Sequence, residues 1–189
     1  MKNFKKALAS IAAGAAVFLS PVAQAGEFED HYELLVAVEA TGVDVVINDE
    51  KICSDPTSSG MYGYLRRRDG TEAQWLHVCQ DNGQAGGDVV AFTANDYDTI
   101  RHEVWHIIQD CYMGRIGDFK LEYLQDSPEE LVEWARQHLP ESKIAWIVNS
   151  YEEQGASFEV ILREIEAFAM ADINNAPGQT KILIKYCMD

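Results

Sequence analysis

Two histidines and a glutamate stand within five residues, His102-Glu103-Val104-Trp105-His106, in a chain of 189. Four residues on a helix make slightly more than one turn, so His102 and His106 can present their imidazoles from one face to a single tetrahedral ion. Zinc suits such a pair, because catalytic zinc takes three protein donors and keeps a fourth position open. Glu103, beside them, can take a proton from a water that the ion acidifies, which is the chemistry of hydrolysis.

The flanking residues say what must hold this group. At roughly 100° per residue, Ile100, Val104, Ile107, Ile108 and Cys111 gather on one side, with the two histidines nearly opposite. The spacing predicts an amphipathic helix with one face toward a core, starting near Asn95 or Asp98, either of which can cap it. Before it, a helix is expected over Phe28–Ala40, ended by Gly42, then a strand over Val43–Asn48. A hairpin of Met61–Arg67 and Gln74–Gln80 follows, and a further strand over Asp88–Thr93. After it, Ser127-Pro128-Glu129-Glu130 reads as a capping box opening a helix that runs to His138. Helices over Ser142–Glu153 and Ser157–Ile173 follow, then a break at Asn174–Gly178 and a short tail. The expected fold class is α+β, in one domain over residues 26–189.

Two histidines need a third partner. A histidine six residues after His106 would mark a metzincin, but position 112 is tyrosine. Downstream, Arg163-Glu164-Ile165-Glu166-Ala167-Phe168-Ala169 carries two glutamates in overlapping Glu-x-x-Ala patterns, Glu164 to Ala167 and Glu166 to Ala169. With these residues the chain resembles the gluzincins, zinc metallopeptidases whose third ligand is a glutamate on a later helix. The resemblance implies a zincin-like fold: a small β-sheet packed on the His-Glu-x-x-His helix and a mostly helical C-terminal half. It implies Zn²⁺ held by His102, His106 and a glutamate, with Glu103 as general base. The helical wheel does not choose between the glutamates, because both flank the Phe158, Leu162, Ile165, Ala169 stripe. Glu164 is taken first, since Arg163-Glu164-x-x-Ala167 is similar to the Arg-Glu-x-x-Ala-Asp form of some gluzincins, although Phe168 stands where that form has Asp. Glu166 is the alternative. Asp172 could orient a ligand histidine, and His77 could face a developing oxyanion. Each also has a plain structural role open to it, as do His31, a surface residue by its pattern, and His138, at a helix C-terminus.

Composition sets the address. Lys2, Lys5 and Lys6, the apolar run Ala7–Leu19, and Ala23-Gln24-Ala25 read together as a secretory signal peptide over residues 1–25. The formal charge of −16 becomes −19 once those three lysines are removed. Such a surface repels nucleic acid and anionic lipid, so neither is expected as a partner, and no membrane attachment of the mature form is expected. The expected partner is a protein or peptide substrate, met in a periplasm or outside the cell. Export also makes the four cysteines, Cys53, Cys79, Cys111 and Cys187, an expected pair of disulfides, with three pairings open. The competing account is a non-catalytic exported binding module with a zincin-like fold and a vestigial or structural metal site. Retention of Glu103 counts against it, because a structural zinc needs no base.

Overall fold

The computed structural model describes residues 21–66, 72–112, 114, 116 and 120–188. The basic start and apolar run of the expected signal peptide lie outside these residues. The elements are α1 (Pro21–Ala40), β1 (Asp44–Ile47), β2 (Gly60–Arg66), β3 (Glu72–Val78), α2 (Ala94–Tyr112), α3 (Pro128–His138), α4 (Glu141–Glu153), α5 (Phe158–Ile173) and α6 (Ala176–Cys187). The chain is α+β, with a small three-stranded mixed sheet ordered β1-β3-β2. Central β3 pairs in parallel with β1, Val45 opposite Leu76, and antiparallel with β2, Tyr62 opposite Leu76.

Everything is arranged about α2. Its start is fixed by a capping box: the Thr93 hydroxyl accepts from the Asp96 N–H at 3.1 Å and Asp96 accepts from the Thr93 N–H at 2.8 Å. Alternation along β3 turns Leu76 and Val78 into the core beneath the sheet, where Ile100, Val104, Ile107 and Ile108 of α2 meet them, fully buried. Helices α1, α5 and α6 close the other sides. The two-faced helix expected from periodicity is therefore buried nearly all round. Residues 102–111 are all buried, polar ones included. A second core lies between α3, α4 and α5, with Leu131, Ile147 and Leu162 at its centre. Helix α5 joins the two cores, giving Ala167 to the first and Ile161, Leu162, Ile165 and Ala169 to the second.

The C-terminal helices begin as their residues dictate. Ser127 caps α3 by accepting from the Glu130 N–H, Ser157 caps α5, and Asn175 caps α6 with Pro177 in its first turn. Three expectations are corrected. The short tail after Gly178 is the helix α6, since Asn175-x-x-Gly178 starts a helix instead of ending one. Among the described residues, the expected strand over Asp88–Thr93 pairs with no other strand. The Gln80 amide takes the partner's place, accepting from the Val90 N–H at 2.9 Å and donating to the Val90 carbonyl at 2.8 Å. Gln80 is in turn held by Asn48, which adopts a positive φ of 57°. Helix α1 begins at Pro21, before Phe28, and so runs through the expected cleavage point between Ala25 and Gly26.

Two disulfides form, Cys53–Cys79 and Cys111–Cys187. The first ties the loop before β2 to the end of β3. The second ties the last turn of α2 to the last turn of α6. Among the described residues no helix is long and apolar enough to cross a membrane.

Candidate metal centre

His102 and His106 project from α2 toward α5, where Glu164 meets them. The Nε2 atoms of the two histidines are 3.2 Å apart. Glu164 Oε2 lies 3.2 Å from His102 Nε2, and Oε1 lies 3.4 Å from His106 Nε2. A tetrahedron with metal–ligand bonds of about 2.0–2.1 Å has edges of about 3.3 Å. The three donors therefore stand at the mutual spacing of three corners around one ion, and two imidazoles with one carboxylate form a donor set that suits zinc.

This cluster has its own electrostatics. Burial alone would lower the His106 pKa. The charge and hydrogen bond of Glu164, with the charge of Glu103 and a bond donated to Gln109, raise it instead to about 9. Burial pushes Glu164 upward, but the charge of His106 and bonds from both histidines hold it well below the usual carboxylate range. An excess of anionic charge around buried imidazoles is what a cation requires in order to displace their protons.

Each ligand is held from behind, and by different means. His106 Nδ1–H donates to Gln109 Oε1 at 2.8 Å, which turns Nε2 toward the site. Gln109 is kept in that orientation because its Nε2–H donates to Glu166 Oε2 at 2.8 Å and to the Arg163 carbonyl at 3.1 Å. The His102 ring lies 4.3 Å from the Phe168 ring. Glu164 accepts from the Tyr151 hydroxyl of α4 at 2.7 Å. Burial, then the Glu164 charge, pushes the Tyr151 pKa up, so this side chain is a neutral donor. Glu103 sits beside the ligands, and its Oε2 accepts from the Tyr62 N–H of β2 at 2.8 Å. Gly60 makes that approach possible: a Cβ there would lie 2.5 Å from Thr99 Cγ2 and 3.0 Å from Glu103 Cγ.

The group lies in a cleft of about 920 Å³ between α2 and α5 on one side and α4 and the loop before β2 on the others. Of the residues singled out from sequence, the structure brings together His102, Glu103, His106 and Glu164. Glu166 is elsewhere. It is fully buried between α5 and α2, accepting from Trp105 Nε1–H at 3.0 Å, from Gln109, and from the Leu124 N–H at 2.8 Å. Asp172 orients no histidine and pairs with Lys143 at 2.8 Å on the cleft margin. His77 alternates with Leu76 and so occupies the sheet face away from α2, 4.2 Å from the Trp75 ring and outside the cleft. His31 is buried, not a surface residue: it donates from Nδ1 to the Glu27 carbonyl and accepts at Nε2 from Arg101. His138 ends α3 against Trp134.

Three contributors carry no assignment from sequence. Gln109 had a signal, its position three residues past His106 on the same helix. Tyr151 and Phe168 had none, because their roles depend on how α4 and α5 approach α2. Compared with known proteins, the chain matches no family model, no curated protein and no solved structure, so the chemistry of its site rests on its own atoms.

Proposed function

We propose that the chain is an exported zinc-dependent metallopeptidase of zincin-like fold. The observation that carries this is the spacing of three corners of a tetrahedron by His102, His106 and Glu164 inside an open cleft, with a carboxylate, Glu103, alongside. A structural zinc would be enclosed by four protein donors and would need no neighbouring base. The three-stranded sheet on α2 and the third ligand on a later helix agree with the resemblance to gluzincins. The two disulfides agree with export.

His102, His106 and Glu164 would hold the ion, which when bound supplies Lewis acidity, polarising the scissile carbonyl and acidifying water. Glu103 does the proton work. Its Oε2 is tied to the Tyr62 N–H, which leaves Oε1 to take the proton as the water oxygen bonds to the carbonyl carbon. The carbon–nitrogen bond then breaks, and the same proton passes from Glu103 to the departing amine. Tyr151 keeps Glu164 in place, and Gln109 keeps His106 in its tautomer.

Elemental analysis of the mature protein should find one zinc per chain, and a peptide mixture should be cleaved. Glu103→Gln keeps the shape and removes the base, so zinc should remain while cleavage falls by roughly 100-fold or more. Unchanged cleavage in this variant, or a zinc-free wild type, would overturn the assignment. Zinc without cleavage of any peptide would favour the non-catalytic binding module.

A further inference from the structure

We propose that Trp146 and Phe168 form the subsite that selects the substrate, taking an apolar and preferably aromatic side chain next to the scissile bond. The proposal rests on the metallopeptidase assignment above. Phe168 connects the two. Its ring lies 4.3 Å from that of His102, so a group seated against Phe168 is one ring away from a metal ligand. Trp146, on α4, meets Phe168 edge-on at 5.7 Å with the rings at 80°. Both line the cleft.

Trp146 is 56% exposed, although Ile147 beside it is fully buried in the second core. Helix α4 therefore packs through one side and turns its largest apolar side chain into the cleft. A side chain laid against the indole and the free part of the Phe168 ring would remove apolar surface of both from water. The charge at the rim narrows the choice further. Lys143 lies 5.6 Å from the Phe168 ring centre, but Asp172 holds its ammonium at 2.8 and 3.0 Å. Lys143 is thus neutralised, and an acidic substrate side chain would gain no free partner from it. A basic one would likewise find Asp172 already paired with Lys143. An apolar group alone meets no electrostatic cost.

The test uses two small hydroxamates, whose common head group binds zinc and which differ only in the side chain. Acetohydroxamate and 3-phenylpropionohydroxamate are titrated into the zinc-loaded protein by calorimetry. The phenyl compound should bind roughly 10- to 100-fold more tightly, as expected for burial of one aromatic ring. In Trp146→Ala most of that difference should vanish while acetohydroxamate binds as before. The exposed position of Trp146 leaves the fold intact in this variant, which circular dichroism checks. Equal affinities in the wild type, or a preference that survives Trp146→Ala, would overturn the subsite and leave the metal assignment standing. Binding of neither hydroxamate by the zinc-loaded protein would also overturn the subsite, whereas a protein that loads no zinc would remove the metal assignment and the subsite with it.

Discussion

Replacing Glu166 by glutamine changes one atom, and the structure says what that atom does. Glu166 accepts from four donors: Trp105 Nε1–H and Gln109 Nε2–H on Oε2, the Leu124 N–H on Oε1, and the Gln125 side chain. A glutamine has one acceptor oxygen. Kept toward Trp105 and Gln109, it turns its NH₂ at the Leu124 N–H and leaves a buried donor facing a donor. Each buried group left unsatisfied costs about 1–3 kcal/mol, so the pair should cost about 2–6 kcal/mol of unfolding free energy. Urea denaturation of the zinc-free protein at pH 7 measures it. A secondary effect should follow at the metal. Where the new oxygen turns to the Leu124 N–H instead, Gln109 loses its acceptor, His106 loses the bond that fixes its ring, and zinc affinity falls by roughly 10-fold, the lower end for loss of an outer-shell partner. Glu164→Gln should show the reverse balance, with zinc binding lost and a smaller change in stability. A Glu166→Gln protein as stable as wild type but unable to bind zinc would show that Glu166, not Glu164, is the ligand, and would refute the packing argument.

Two further outcomes follow from the same group. Because the folded His106 pKa is raised to about 9 from 6.5, its contribution to the zinc-free fold is complete below pH 6.5 and lost as pH rises through 9, a fall of about 3 kcal/mol. Zinc affinity should move the opposite way, rising up to about tenfold per pH unit over that window as the proton becomes easier to displace, and a pH-independent affinity would contradict the proton–metal competition. Tyr151→Phe removes the 2.7 Å bond to Glu164 without changing the bulk of the side chain. Zinc affinity, measured by competition with a chelator, should fall by roughly 10-fold, and an unchanged value would mean that Tyr151 does not position the ligand.

The parts legible in the sequence are those written at short range. The 3.6-residue period located α2, the spacing of His102 and His106 put both on one face, and Ser127-x-x-Glu130 marked the start of α3. The errors come from interactions that close over long separations. Asp88–Thr93 carries the short apolar run of a strand, but Gln80 bonds to its backbone at Val90 instead. Gln80 is fixed by Asn48, 32 residues away, and no window along the chain contains both. His31 looked like a surface residue because its own helix turn is polar. Arg101 and Tyr97, brought in from α2, are what bury it.

The helical wheel cannot choose between Glu164 and Glu166, for a reason the structure makes specific. The two residues are about 200° apart on a helix, so one rotation of α5 presents Glu164 to the histidines and another presents Glu166. The Leu162, Ile165, Ala169 stripe alone tolerates either sense, since it only requires contact with α3 and α4. What fixes the rotation is Glu166 itself. It is the one group on α5 that can satisfy the Trp105 indole, the Gln109 amide and the Leu124 N–H together, and a carboxylate buried this fully is stable only where donors converge on it. Once those bonds form, Glu164 has no orientation left except toward the cleft, within 3.2–3.4 Å of both imidazoles. The glutamate buried away from the cleft therefore determines which one faces the histidines.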